Sequence, residues 1–193
     1  MSAVLAHPID AISAHRAHYE VMAEFSGLLA TGCHESWDWW LERYFLALDV
    51  PEPETAGARI NRGYGLWTLA IEGVVAALAR LRSTGIRLGV VSNSDGSVRQ
   101  SLTQAGFDGL FDVVIDSFEV KVKKPDPEIF RMALDRMGVP AQDAWYVGDS
   151  WFHDVSGAVR ASLARAILVD PYGLSGYEDR LASTADLPDL IGL

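Results

Sequence analysis

The sequence predicts an α/β core with a parallel sheet covered by helices on both faces, preceded by a small helical lobe. Three observations lead there. From residue 67 onward, short apolar runs alternate with amphipathic stretches, and Gly or polar turns punctuate each of them. The first 66 residues show helical periodicity and no comparable apolar strand. Polar residues with chemical potential, Ser92, Asn93 and Asp149, each fall just past an apolar run, where open α/β sheets bind ligands.

The elements follow in order. Ala11 to Leu29 and Glu35 to Leu48 are predicted helices, with "DVPEPET" (49–55) as a polar, proline-bearing break. In "SWDWWLERYF", Trp37, Trp40 and Tyr44 share a helical face that either buries against a neighbouring helix or forms an aromatic wall over a substrate. Val74, Val75, Leu78 and Leu81 recur at helical spacing, and Gly85 ends that helix. "IRLGVVSN" (86–93) is a first strand, Ser97 to Ala105 a short helix closed by Gly106, and "FDVVIDS" (111–117) a second strand. In "KKPDPEIFRMALDRMG", Asp126 is placed as N-cap and Pro127 at the first helical position. Ile129, Phe130, Ala133, Leu134 and Met137 form its apolar face, and Gly138 stops it. "AWYVGDS" (144–150) is a third strand, Asp154 to Leu163 a helix, and "RAILVD" (165–170) a fourth strand.

Composition narrows the function classes. At 193 residues and 49% hydrophobic content the chain can bury one sizeable core with a smaller appended lobe. A net charge of −10 argues against nucleic acid or an anionic membrane as partner, while leaving room for a small anionic substrate held by local positive charge. No stretch has the ~18–20 consecutive apolar residues of a membrane span. "MSAVLAHPID" lacks the basic flank and apolar centre of a signal peptide, and a single cysteine, Cys33, forms no internal disulfide. The expected location is the cytoplasm.

Three polar groups carry the chemistry. "VVSNSDG" offers the Ser92 hydroxyl, the Asn93 amide and loop N–H groups as an anion cradle, or else a plain capped turn. Lys124, just before a proline-started helix, is either a fixed positive charge or a solvated lysine. Asp149 and Asp154 either ligate a hard cation such as Mg²⁺ or cap the following helix.

Their joint order resembles the haloacid dehalogenase superfamily. A strand ending Ser-Asn, then Lys-Pro-Asp-Pro-x-Ile-Phe, then a strand ending Gly-Asp-Ser-x-x-x-Asp is similar to its second, third and fourth motifs, at residues 92–93, 124 and 149–154. The resemblance covers about residues 67–172 and is greatest to the phosphatase-like branch. It implies a Rossmann-like core at 67–193, a helical cap at 10–66 and a remnant of the first motif's loop at 1–9. It also implies phosphoryl transfer from a small phosphorylated substrate through an aspartyl-phosphate. Ser92 and Asn93 would bind the phosphoryl group and Lys124 would offset its charge. Asp149 and Asp154 would hold Mg²⁺. The Gly-Asp of "VGDS" favours a phosphatase over a metal-independent dehalogenase.

One part of the family pattern is missing. Its first motif, an apolar strand ending Asp-x-Asp whose first acid is the nucleophile, does not occur in this chain. Asp10 follows Pro8 with no strand before it, has Ile at residue 12, and is not the expected nucleophile. "AVLAHP" (3–8) resembles the segment that follows those acids. Three explanations stand: a start placed downstream of the true one, a truncated form, or a non-catalytic descendant that kept the pocket for binding. As written, the chain is expected to be inactive. The family's first-motif strand lies mid-sheet, so its loss would strip neighbouring strands of hydrogen-bond partners at ~1–3 kcal/mol for each unpaired group. Either Ala3 to Ala6 or a second chain would then cover the gap, which makes a homodimer one expectation. Relatives also tend to carry glycine near Ser162 and Leu163. A positive φ there would cost up to ~1 kcal/mol.

Overall fold

A computed structural model describes residues 10–34, 36–50 and 70–193. These fall into two compact units, 10–34 and 36–50 with Tyr172–Gly176, and 70–171 with Tyr177–Leu193. The segment Tyr172–Gly176 groups with the helical unit, which the sequence did not foretell.

The first unit is a helix pair, α1 (Ala11–Ala30) and α2 (Trp37–Ala47). Asp10 is the N-cap of α1, accepting from Ser13 N at 2.9 Å and Ser13 Oγ at 2.6 Å. Ser36 caps α2 by accepting from Trp39 N. The apolar faces meet in a cluster that includes Val21, Phe25, Trp40, Tyr44 and Phe45. Trp40 and Tyr44 are buried, whereas Trp37 is 41% exposed and stacks on Trp40 at 4.7 Å. Two members of the predicted aromatic face are therefore core, and the third is a half-open lid upon them. Tyr172 joins this unit through His15 Nδ1, 2.9 Å from its hydroxyl.

The second unit begins at α3 (Val74–Ser83), closed by Gly85 at φ +89. β1 (Gly89–Ser92), α4 (Val98–Gln104) and β2 (Val113–Asp116) follow, and a single turn, α5 (Ser117–Val120), extends β2. Then come α6 (Pro127–Met137), β3 (Trp145–Gly148), α7 (Ser156–Arg160), β4 (Arg165–Val169), β5 (Arg180–Leu181) and α8 (Leu187–Leu190). The ends of α6 are as the residue types demand: Asp126 accepts from Glu128 N, Pro127 opens the helix and Gly138 closes it at φ +61.

All strand pairs are parallel. Side chains alternate between two layers, as a period of two requires. Val91, Ile115, Ala166 and Leu168 pack with Ile129, Phe130 and Ala158 on one face. Ile167 packs with Leu78, Leu81 and Leu187 on the other. The strands form two separate ladders, β1–β2 and β3–β4–β5, with no backbone pairing between β1 and β3 among the described residues.

Two details differ from expectation. The helix predicted from Asp154 starts earlier, as a π-turn over Trp151–Val155, because Asp154 N and Val155 N both point to Ser150 O, at 2.8 and 3.3 Å. It also ends earlier, at Arg160, where Leu163 N donates back to Ala158 O and Ser162 adopts φ +63. Ser162 thus occupies a left-handed helix-end position that glycine fills at lower cost. The proposed stub strand Ala3 to Ala6 and most of the break at 49–55 lie outside the described residues.

Candidate functional site

Three chain segments converge at the carboxyl ends of β1 and β3. Apolar strands bring Ser92 and Asn93 from one ladder and Asp149 from the other to the same end of the unit. Between them stands Lys124, whose peptide bond to Pro125 is cis.

Asn93 fixes Lys124. Its amide nitrogen donates to Lys124 O at 3.0 Å, and its amide oxygen accepts from Lys124 N at 2.8 Å. Expected as a substrate contact, Asn93 has both ends of its amide engaged in clamping the lysine backbone. The Lys124 side chain is 12% exposed and donates from Nζ to Asp154 Oδ1 at 2.7 Å and to the Tyr146 hydroxyl at 3.1 Å. That hydroxyl also lies within donating distance of Asp154 Oδ1, 3.1 Å, and Val91 O, 3.0 Å. Burial pulls the ammonium pKa down, but the Asp154 carboxylate and Tyr146 outweigh it and hold Lys124 above its ordinary range. Burial, reinforced by Asp154, holds the Tyr146 hydroxyl protonated above its ordinary range. An ammonium has three donors, and Lys124 spends two of them on Asp154 and Tyr146.

Asp154 sits behind this lysine. Its Oδ2 accepts from Ser150 N at 3.0 Å, so both oxygens are engaged. The π-turn supplies the inward swing, and Gly148 supplies the room. A Cβ at Gly148 would stand 2.4 Å from Asp154 Cγ and Oδ2. Gly157 serves the same packing one layer down, where a Cβ would meet Phe130 Cε2 at 2.5 Å. Asp149 is half-buried at the end of β3. Burial lowers the His153 pKa, with partial compensation from Asp154 and a smaller one from Asp149. His153 Nδ1 lies 3.1 Å from Ser150 Oγ.

Two N–H groups of the loop expected as an anion cradle after β1 are engaged within the chain. Ser94 N donates to Ser117 Oγ at 3.2 Å, and Ser97 N to Asp95 Oδ1 at 3.1 Å. Asp95 thus places its own carboxylate just before α4, with hydrogen bonds from Ser97 holding its pKa below the ordinary range. Beside this loop, the half-buried Ser92 hydroxyl and the third Lys124 donor are available to an anion.

The acids suit a hard cation in part. Mg²⁺ is commonly held by one or two carboxylates and completed by water and phosphate oxygens. Asp149 and Asp154 match that donor chemistry, with Asp154 already bonded through both oxygens and so placed to orient the site from behind. Among the described residues no group of three or more His, Cys, Asp or Glu gathers as a metal cage.

Tyr146 is the residue that sequence reasoning overlooked. Its signal was present in "AWYVGDS": alternation turns Trp145 outward and Tyr146 inward, placing a hydroxyl two residues before the glycine. A polar tip on a buried strand calls for a partner.

A family model described as haloacid dehalogenase-like hydrolase matches residues 7–162. The chain is 42% identical over 121 residues to haloacid dehalogenase-like hydrolase domain-containing protein 3 of Mus musculus, covering 62% of this chain and 48% of that protein. It is 42% identical over 96 residues to phosphoserine phosphatase of Thermus thermophilus, covering 49% and 38%. The match thus spans less than half the length of either relative. Among solved structures, a HAD phosphatase from Thermococcus onnurineus is similar with a TM-score of 0.62 and 28% identity, covering 88% of this chain and 79% of that one.

Proposed function

The chain belongs to the haloacid dehalogenase-like hydrolases, and on that premise we propose that it is built to handle the phosphoryl group of a small phosphorylated metabolite. The carrying observation is the buried Lys124 ammonium, locked by Asn93 and Asp154 with one donor unspent beside the Ser92 strand end. The phosphatase names among its relatives support the same reading.

In this reading Ser92 donates to a phosphoryl oxygen and Lys124 places a fixed positive charge against it. Preorganised charges of this kind need no rearrangement as negative charge develops. Asn93 and Tyr146 are positioning residues: one fixes the lysine backbone, the other its ammonium. Asp149, with Asp154 behind it, would hold Mg²⁺, which when bound offsets repulsion among phosphate and carboxylate oxygens.

Hydrolysis through an aspartyl-phosphate also needs a nucleophilic acid facing Asp149. The sequence contains no apolar strand ending Asp-x-Asp, and Asp10 is committed to capping α1. We therefore propose that the 193-residue chain by itself binds phosphate and does not turn over phosphate esters. Incubation with p-nitrophenyl phosphate and Mg²⁺ tests this, with no hydrolysis expected. Turnover that Asp149→Asn abolishes would place a nucleophile within this chain and overturn the reading.

The missing acid equally favours a second reading, a phosphate- or metal-binding module without chemistry. Metal-independent halide release from a 2-haloacid would point instead to a dehalogenase.

A further inference from the structure

All three lysines of the chain, Lys121, Lys123 and Lys124, lie within four positions, in a sequence of 26 acids against 16 lysines and arginines. Lys124 belongs to the candidate site, and the other two are exposed. Among the described residues neither of these two has a carboxylate within ion-pair distance. The acids of the adjoining segments are engaged elsewhere: Glu119 lies 3.9 Å from Arg99, Asp95 accepts from Ser97, and Asp126 caps α6.

Lys121 stands where a lysine is costly. It ends the α5 turn, its N–H donating to Ser117 O at 2.9 Å, with φ at +60. Glycine takes that left-handed conformation at lower cost. A side chain kept on a strained backbone points to a use for it. This one is aimed: Nζ lies 3.9 Å from the centre of the Phe118 ring, a cation–π contact. Phe118 is 56% exposed, and its ring lies against the loop after β1, where a Cβ at Gly96 would stand 3.1 Å from Phe118 Cδ1. Ser117 ties the same turn to that loop, accepting from Ser94 N and donating to Ser94 O, both at 3.2 Å. Ser92 and Asp116 are register partners, so α5 leaves β2 one strand spacing, ~4.8 Å, from Ser92. Lys121 follows one helical turn later, ~5.4 Å, a distance its flexible four-carbon stem can cover. The ammonium therefore stands at the rim of the loop that begins at Ser92.

We propose that Lys121, braced by Phe118, takes a second anionic group of the substrate, which makes the substrate a small phosphate ester bearing a carboxylate or a further phosphate. This rests on the phosphoryl reading of Ser92 and Lys124. A lysine is a compact point charge with three donors and serves either anion. Exposed to water, it adds modest affinity, and its use is to discriminate between esters.

Isothermal titration of the 193-residue chain with three esters on a two-carbon frame tests this. Phosphoglycolate carries a carboxylate, ethane-1,2-diol bisphosphate a second phosphate, and 2-hydroxyethyl phosphate a neutral hydroxyl. At low salt a charged ester is expected to bind about three- to fivefold tighter than the neutral one, and the preferred one identifies the second group. The preference should fade in about 1 M salt, where the Debye length is about 3 Å. Lys121→Gly should abolish the preference and leave Tm unchanged or raised, since glycine relieves the backbone at φ +60. Lys123→Ala removes the same charge two residues away and should keep the preference. An equal loss in Lys123→Ala would mean diffuse charge and overturn the proposal. So would a lowered Tm in Lys121→Gly, which would make the lysine a strut on Phe118. Equal binding of all three esters overturns this proposal alone, whereas no binding of any ester or of inorganic phosphate removes the phosphoryl reading and this proposal with it.

Discussion

Replacing Asp154 by Ala removes the partner of a buried ammonium, and the structure sets the scale of the loss. The carboxylate is 4% exposed and accepts from Lys124 Nζ at 2.7 Å and from Ser150 N at 3.0 Å. Breaking such a pair strands a buried charge, at a cost of about 3–5 kcal/mol. For a net stability of ~5–15 kcal/mol this is a large fraction. With a urea m-value of about 2 kcal/mol/M, the midpoint should fall by roughly 1.5–2.5 M. Removing the charge as well, in Asp154→Ala with Lys124→Met, should recover more than half of that loss. Urea denaturation followed by tryptophan fluorescence reads the parent chain and both variants. A loss below ~1 kcal/mol for Asp154→Ala, with no recovery in the double variant, would mean that the pair is solvated like a surface ion pair. The site would then lack its preorganised charge.

Other substitutions test neighbouring claims. Gly148→Ala should cost about 1–3 kcal/mol by overpacking, since its Cβ would stand 2.4 Å from the Asp154 carboxylate. A neutral result by calorimetry would show that Asp154 has room to move. Ser162→Gly should stabilise by up to ~1 kcal/mol, because φ is +63 there; an unchanged Tm refutes the strain. Asp112 accepts from Arg82 at 2.8 Å and from Leu88 N at 3.0 Å, and the Arg82 hydrogen bond leads in holding its pKa below 3.8. Its contribution is therefore present above pH 3.8 and lost as pH falls through the lower folded value. Asp112→Asn should lower stability at neutral pH and flatten the acid limb of the stability curve, and an unchanged acid limb would contradict the assignment.

Much of the second unit was legible because its signals are local. Asp126, Pro127 and Gly138 announce both ends of α6, and uninterrupted apolar runs announce β1 to β4. The motif order brought Ser92, Lys124 and Asp149 to one end, since parallel strands place their carboxyl ends together. What escaped was non-local or depended on exact geometry. The separation into two ladders rests on which edges find partners, and periodicity carries no such information. β5 is two residues long, too short for any pattern. The π-turn that swings Asp154 inward rests on one shared acceptor, Ser150 O. In the loop after β1, Ser117 and Asp95, unremarkable in sequence, take up the N–H groups of Ser94 and Ser97.

Isothermal titration of the 193-residue chain with inorganic phosphate, with and without Mg²⁺, tests the central claim most directly. The account predicts saturable one-site binding that Mg²⁺ strengthens. It also predicts that Ser92→Ala weakens the binding and that Asp149→Asn removes the Mg²⁺ effect. Absence of binding heat in a chain whose fold is verified by circular dichroism would contradict it, as would binding indifferent to both substitutions.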